Sequence, residues 1–595
     1  MSIYERGIYM NRLFKRSNYA RYFNLDKMWD FVLDPEDCGK SNQWYIKFPE
    51  NAEKMPVPSC WNMTLGKFRY MGVAWYRTDF EINSDSIYLK FEGVANYCDV
   101  YIDGKHIGSH YGPFVEFGFV AEGIGSGCHQ LVVRVDNSLN YTDTVPHASP
   151  DWYNYGGINR SVEVREIGDV WISDYRIDYE LDLADNSVVL DVSAHVVTKG
   201  NVCGQFKVYV NDECVYTEDK EAGDKAKLVA SDIKLENVNL WDIYKPNLYY
   251  IRIEFAGDDI IDRTGFRKIE TSGKDILLNG RKILLTGVCR HEEHPDWGFS
   301  MPFELIRRDI DIIRNMNCNA IRGSHYPNSK KTLDYCDQVG MLFWEEIPMW
   351  GFCPGQMPGY NPDTVLNATL TQRMLSMHTE MVKRDINHPS IIFWGLHNEI
   401  GTDEQWAYEL SSMIADTIKA LDTTRLVTYA SNKTPLEGKQ DICFGLVDVI
   451  SVNYYTSWYS DSKNENFAQF VERIRNTLKG SKNENKPFIM SEFGGGAIKG
   501  NTSFEAQRWT ENYQAALLDD AINSYLGSGE VCGTYIWQYC DIRTTESKAL
   551  SRPREFNNKG ILDEYRRPKY SYETVKKTYA KYNANSNNET KITLY

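Results

Sequence analysis

The chain is 595 residues long, too long for one hydrophobic core, and at about 100–200 residues per domain it predicts three or four domains. Hydrophobic residues make up 42% and charged residues 25%, which excludes a largely disordered or collagenous protein. The net charge of −16, from 82 acidic against 66 basic residues, repels nucleic acid and anionic membranes at long range and argues against both as partners.

The N-terminal stretch MSIYERGIYMNRLFKRSNYARYF has no apolar run of about 7–15 residues and no small-residue cleavage site. No segment approaches the ~20 apolar residues of a membrane span. The 13 Cys are odd in number, scattered from Cys38 to Cys540, and include no C-x-x-C pair. Together these features predict reduced thiols in a cytoplasm, not a disulfide framework or a zinc site. The 39 Tyr and 15 Trp suit β-sandwiches and sugar platforms, although most aromatics fill cores.

Residues 1–168 read as all-β. Alternating runs such as SIYLKFEGV (86–94) and CDVYIDGKHIG (98–108) are punctuated by turn residues, with Asp103-Gly104 a hairpin signal. Residues 169–267 carry SVVLDVSAHVV (187–197), QFKVYVN (205–211) and LYYIRIEF (248–255), enough for one immunoglobulin-like sandwich. No Cys pair has antibody-type spacing.

From residue 268 onward apolar strand-like runs alternate with helical patterns. Eight such runs occur: ILLTGVCRHE (283–292), CNAIRGSH (318–325), MLFWEEIP (341–348), IIFWGLHNE (391–399), LVTYAS (426–431), DVISVNYY (448–455), PFIMSE (487–492) and VCGTYIWQYCD (531–541). Between them Ile306, Ile310 and Ile313 fit a 3.6 period, widened by Leu305, Ile312 and Met316; Trp406, Leu410, Ile414, Ile418 and Leu421 fit it too. Eight buried strands alternating with helices predict a (β/α)8 TIM barrel, with an open doubly wound sheet disfavoured because no glycine fingerprint follows the first strand.

In a barrel the active site gathers at the C-terminal strand ends. Those ends present Arg290-His291-Glu292, Arg322 and His325, Glu345-Glu346, Asn398-Glu399, Asn453 and Tyr455, Glu492, and Trp537. A packed barrel does not require ionisable groups at its mouth, so the set points to chemistry. Glu399 and Glu492 each end an apolar strand and project toward one mouth, the arrangement that retaining glycoside hydrolysis needs: one carboxyl to protonate the leaving oxygen, one to attack the anomeric carbon. His291 and His294, three apart on a strand end, point to opposite faces and do not predict a metal site.

The motifs HNE (397–399), SEF (491–493), RGSHYP (322–327), GVCRHEEHP (287–295) and VAWYRTDFEI (73–82) resemble glycoside hydrolase family 2 over nearly the whole chain. The resemblance implies a jelly-roll sugar-binding-like domain (1–168), an immunoglobulin-like domain (169–267) and a catalytic TIM barrel (268–595). It implies Glu399 as acid/base, Glu492 as nucleophile, Asn398 donating to the sugar 2-hydroxyl, and Tyr455 and Arg322 holding the nucleophile ionised. Among the family, Asn557-x-Lys559 in RPREFNNKG (552–560) is similar to the pair with which β-glucuronidases bind the C6 carboxylate. Burying a carboxylate in a chain of net charge −16 requires such a local cation.

DWYNYGGINR (151–160) is similar to a β-glucuronidase segment whose Asp, here Asp151, reaches the sugar from the first domain. His325, Asn453, Tyr459 and Trp537 complete the implied pocket. The family's Arg before the Asn falls beside Pro553, which leaves Arg552 or Arg554, with Arg554 preferred. WGFCPGQMPGYNP (350–362) is expected to be an active-site loop, shorter than the long lid of some gut members, and AKYNANSNNETKITLY (580–595) a disordered tail or oligomer arm.

The resemblance therefore implies a cytoplasmic, bacterial, retaining β-glucuronidase acting on small-molecule or oligosaccharide glucuronides, a homo-oligomer (dimer or tetramer) requiring no cofactor for catalysis. Some gut relatives hold a flavin remote from the active site, and no motif here bears on it. The competing readings are a β-galactosidase with Lys559 a bystander, and a silent carbohydrate-binding protein, for which neither glutamate is needed.

Overall fold

The computed structural model describes residues 12–434, 440–459 and 465–586. Its first domain is a sandwich of two antiparallel sheets. Alternation builds it: in Val73–Ile82, Ala74, Tyr76, Phe80 and Ile82 enter the inter-sheet core, while Val73 and Trp75 pack on the opposite face against Tyr101 and Trp44. The larger sheet runs in the order Glu53–Pro56, Met28–Asp34, Val73–Ile82, Gly127–Asp136, Tyr97–Ile102, Lys105–Tyr111; the smaller runs Tyr22–Asn24, Val162–Ile167, Ser86–Phe91, Phe117–Ala121. Asp103-Gly104 makes the expected hairpin. Both residues have positive φ, 48° and 78°, as a primed two-residue turn requires, and Ile102 pairs with Lys105 across it.

The second sandwich packs a three-stranded sheet (Val170–Asp182, Ser187–Thr198, Ala226–Leu235) on a four-stranded one (Glu213–Ala222, Val202–Val210, Tyr249–Phe255, Asp258–Thr264). Its core includes Leu190, Val192, Val208 and Ile253 and is separate from that of the first.

The remainder closes as a barrel of eight parallel strands: β1 Leu285–Cys289, β2 Ala320–Gly323, β3 Leu342–Glu346, β4 Ile391–Asn398, β5 Leu426–Ser431, β6 Ile450–Asn453, β7 Phe488–Phe493 and β8 Gly533–Ile536, with β8 pairing back onto β1. Each coincides with one of the eight apolar runs, and every residue in them is buried. The helix Phe303–Asn315 buries Ile306, Ile310 and Ile313, and Gln405–Leu421 buries Trp406, Leu410, Ile414 and Ile418. Residues 580–586 belong to the helix Tyr570–Ser586, which is anchored on Glu511–Gly527 by Thr578 Oγ1 donating to Asp519 at 2.5 Å. The rest of the expected tail, 587–595, and the first eleven residues lie outside the described part.

Charged contacts dock the sandwiches on the barrel. Arg12 forks between Asp334 of the barrel and Asp262 of the second sandwich, at 2.9 and 3.1 Å. Arg160 donates to Glu292 at 3.0 Å and to the Pro327 carbonyl at 2.9 Å. These buried, charge-assisted bonds fix the first domain against the barrel mouth. All 13 Cys are free thiols, and among the described residues no helix is long and apolar enough to cross a membrane.

Candidate active site

A cavity of about 390 Å³ opens at the C-terminal end of the barrel. Glu492 lies in β7 and reaches it directly. Its Oε1 accepts from Arg322 Nη1 at 2.7 Å and its Oε2 from the Tyr455 hydroxyl at 2.7 Å. This carboxyl is pushed up to about 8 on balance: burial is the largest cause, Arg322 pulls it down, the neighbouring Glu399 charge pushes it up, and the Tyr455 bond opposes that. Arg322 itself is held in one orientation, donating to both oxygens of Glu346 at 3.1 and 2.9 Å and to Asn398 Oδ1 at 2.7 Å. Glu346 is also paired with His325 Nδ1 at 2.7 Å.

Glu399 follows the last residue of β4. Strand β4 lies close against β3 because Gly395 has no side chain: a Cβ there would stand 2.4 Å from Trp344 Nε1. Glu399 adopts a left-handed φ of 51° and anchors its N–H on the Ala430 carbonyl at 2.8 Å, which turns its side chain into the cavity. Three amides donate to its carboxylate: Asn453 Nδ2 to Oε1 at 2.7 Å, and Gln356 Nε2 and, at 3.4 Å, Asn432 Nδ2 to Oε2. Asn398 Nδ2 is buried and has no partner among the described residues, although its Oδ1 accepts from both Arg322 and Asn453.

The other expected residues divide into those at the cavity and those behind it. Asp151, His325, Asn453, Tyr455, Tyr459, Trp537 and Lys559 line it; Arg322, Asn398 and Asn557 support the lining. His325 stacks on Trp537, centroids 5.0 Å apart and planes 19° apart. Asp151 comes from the first domain and accepts from Asn557 Nδ2 at 3.0 Å. The expectation for Arg554 is corrected: it adopts a left-handed φ of 62°, turns outward and pairs with Glu564 at 2.8 Å, its side chain 46% exposed. Arg552 takes the inward place, lining the cavity and pairing with Asp151 at 2.6 Å.

Lys559 is 3% exposed, and among the described residues its ammonium has no carboxylate partner. It is surrounded by the rings of Tyr455, Trp458 and Tyr459, at 5.5, 5.9 and 5.4 Å.

Several charged strand-end residues are structural. Arg290 pairs with Asp309 at 3.1 Å, Glu292 accepts from Arg160 and Ser329, and Glu345 is buried beside Arg384 and Asp385. His291 packs against Trp152 and Trp537, His294 against Tyr565, so the two imidazoles have different surroundings. Asp334, Asp337 and His388 form a buried group with metal-like spacing, but Asp334 is already occupied by the Arg12 guanidinium and Asp337 by His388 at 2.6 Å. Residues that strand-end reasoning missed are Trp350, Gln356, Asn432 and Lys548, all on the cavity wall. The first two lie in the 350–362 segment expected to be an active-site loop.

Two carboxyls share a polar cavity, one gripped by an arginine and a tyrosine, the other by neutral amides, with Lys559 beside them, unpaired with any carboxylate among the described residues. Comparison with known proteins places this arrangement. Residues 269–584 match the glycosyl hydrolases family 2 TIM barrel domain, 170–267 glycosyl hydrolases family 2, and 58–179 the glycosyl hydrolase 2 galactose-binding domain-like family. A β-glucuronidase of Paenibacillus borealis is 26% identical over 94% of this chain and 96% of its own, and a β-galactosidase of Thermoanaerobacterium thermosulfurigenes 29% identical over 82% and 65%. Among solved structures, a β-galacturonidase from Eisenbergiella tayi is 33% identical with a TM-score of 0.88, over 96% of this chain and 99% of that one. The β-glucuronidase of Ruminococcus gnavus is 27% identical with a TM-score of 0.82, over 94% and 98%. Matched through both sandwiches and the barrel that carries the two carboxyls, the chain belongs to glycoside hydrolase family 2 and is a glycosidase of that family.

Proposed function

We propose that the protein is a retaining β-glucuronidase. The observation that carries its preference for a uronide is Lys559: a buried ammonium without a carboxylate partner among the described residues is costly, and a substrate bearing a C6 carboxylate supplies the missing charge. A neutral galactoside leaves it uncompensated.

In this reading the glutamate pair enters the reaction with one proton between them. The glycosidic oxygen offers an acceptor to Glu399 only, which favours the proton there and the charge on Glu492, where Arg322 and Tyr455 donate to it. Glu492 attacks the anomeric carbon as Glu399 gives its proton to the departing oxygen, forming a glycosyl-enzyme ester and free aglycone. Glu399, now ionised, takes a proton from water as that water attacks the same carbon, releasing glucuronate and restoring Glu492. The unpaired Asn398 Nδ2 is available to the sugar 2-hydroxyl, and Asp151, His325 and Trp537 to the remaining sugar face. The two carboxyls supply the chemistry of both steps without a cofactor.

A second reading, β-galacturonidase, has a specific basis in the higher identity and TM-score of the Eisenbergiella tayi enzyme. The two sugars share the C6 carboxylate and differ in configuration at C4. Initial rates on p-nitrophenyl β-glucuronide, β-galacturonide, β-galactoside and β-glucoside decide the matter. The glucuronide is expected to be turned over fastest, without added metal. Faster galacturonide turnover moves the assignment to the second reading. Preference for a neutral glycoside overturns both, and so does turnover of none of the four.

A further inference from the structure

Among the described residues three cations line the cavity, and two of them have a role so far. Arg552 is neutralised by Asp151, and Lys559 is assigned to the sugar carboxylate. Lys548 remains. It comes from the 3-10 turn Glu546–Ser551 beyond β8, and among the described residues it has no carboxylate partner. Its Nζ lies 5.1 Å from the ring centre of Trp350.

The two lysines belong to different walls. Lys559 stands over Tyr455, whose hydroxyl donates to Glu492. Trp350, beneath Lys548, bridges in parallel to Asn398, the residue before Glu399, and the same loop delivers Gln356 to the Glu399 carboxylate. Lys548 is therefore grouped with the carboxyl that protonates the departing oxygen, Lys559 with the one that attacks the sugar. His147 packs beside Trp350, and burial followed by the Lys548 charge holds its imidazole down to about 4. The wall thus carries one positive charge, on Lys548, over an aromatic face.

We propose that Lys548 and Trp350 form a leaving-group subsite for an aglycone that carries its own negative charge, namely a second uronate unit of an oligosaccharide. The inference rests on the glycosidase roles given above to Glu399 and Glu492. Trp350, 6% exposed and with Lys548 over its ring, gives the second sugar an apolar wall, and Lys548, only partly buried, supplies a screened attraction to its carboxylate.

The test measures kcat/KM for wild type and Lys548→Met on 4-carboxyphenyl, 4-sulfophenyl and 4-carbamoylphenyl β-glucuronides, at low and high salt. Taking the ratio of the two proteins on each substrate cancels the intrinsic reactivity of the phenol. The substitution is expected to cost the carboxylate aglycone about tenfold more than the neutral carbamoyl one, and the difference should shrink in high salt. Equal losses on charged and neutral aglycones, or no loss on either, overturn the subsite; a loss confined to the sulfonate overturns the uronate occupant. If wild type hydrolyses the carbamoylphenyl glucuronide while charge selectivity is missing, only this inference fails. If wild type hydrolyses none of the three, the proposed function fails with it.

Discussion

Replacing Lys559 by Met tests the specificity argument while leaving the backbone in place. The main chain at this residue is fixed independently of the ammonium: its N–H donates to Asn557 Oδ1 at 3.3 Å and its carbonyl accepts from the Gln538 N–H at 3.0 Å. Met keeps most of the apolar stem that packs against Tyr455, Trp458 and Tyr459. What is lost is one charge in a site 3% exposed. Removing one member of a buried ion pair costs roughly 3–5 kcal/mol, because the remaining charge is left uncompensated. At about 1.4 kcal/mol per decade that corresponds to roughly two to three and a half decades in kcat/KM for a uronide. For a neutral β-glucoside or β-galactoside no pair exists, so residual activity should hold or rise. Both substrates are assayed on both proteins at one pH and one ionic strength. An equal loss on the anionic and the neutral glycoside would mean that Lys559 supports geometry and does not read the carboxylate, and the main physical argument for a uronidase would fall.

The remaining expectations concern the two carboxyls and their neighbours. Glu492→Ala should lose at least ~10³-fold in kcat, with azide restoring turnover to a product of inverted configuration; Glu399→Ala should spare only good leaving groups, with azide giving retained product. If both variants respond alike, the roles are misassigned. Tyr455→Phe removes a hydrogen bond that favours ionised Glu492, so the acidic limb of kcat/KM should move to higher pH by about one unit, for a bond to a charged group worth roughly 1.5 kcal/mol; an unmoved or lowered limb refutes the assignment. Gln356→Ala frees the Glu399 carboxyl from one of its donors and should slow poor leaving groups about tenfold more than activated aryl ones. A uniform loss across leaving groups would make Gln356 merely structural.

How much of this could be read without coordinates depended on periodicity. The barrel strands and the helix faces at Ile306, Ile310 and Ile313 are legible because each repeats a spacing tied to one buried side. Glu399 and Glu492 are legible because each closes an apolar strand. The same logic overreached at Arg290, Glu292 and Glu345: neighbours in an extended segment point to opposite sides, so only part of a strand-end cluster faces the cavity, and these three meet Asp309, Arg160 and Arg384 instead. Arg554 failed for a different reason. Around Pro553 the chain turns through a 3-10 segment in which Arg554 takes a left-handed φ, and residue spacing carries no record of that reversal. The Gly- and Pro-rich segment 350–362 marks a site loop but not that Trp350 and Gln356 are its inward side chains, and Asn432 and Lys548 lie in connections whose paths are set by tertiary contacts and carry no local signature.

The cavity also concentrates unfavourable terms, which makes its variants informative about stability. Glu399 is held in a left-handed conformation, Lys559 is buried without a carboxylate partner among the described residues, and Glu492 is raised, chiefly by burial, to about 8. For an acid whose folded value lies above its unfolded value of 4.5, the native state is penalised as pH rises through 4.5, and the penalty levels off above the folded value. At pH 7 the span from the unfolded value is about 2.5 units, or about 3 kcal/mol at ~1.4 kcal/mol per unit. Glu492→Gln keeps one acceptor oxygen, which serves Arg322, and turns its amide nitrogen toward the Tyr455 oxygen, while removing the charge. The variant should therefore melt above wild type at pH 8, and the two curves should converge near pH 4, where Glu492 is protonated in the folded chain and largely so in the unfolded one. A variant that melts below wild type at pH 8, or a difference that does not change with pH, would show that the Arg322 ion pair outweighs the burial of the carboxylate. In that case the inactive protein would gain nothing from losing its nucleophile, and the site would not be trading stability for function.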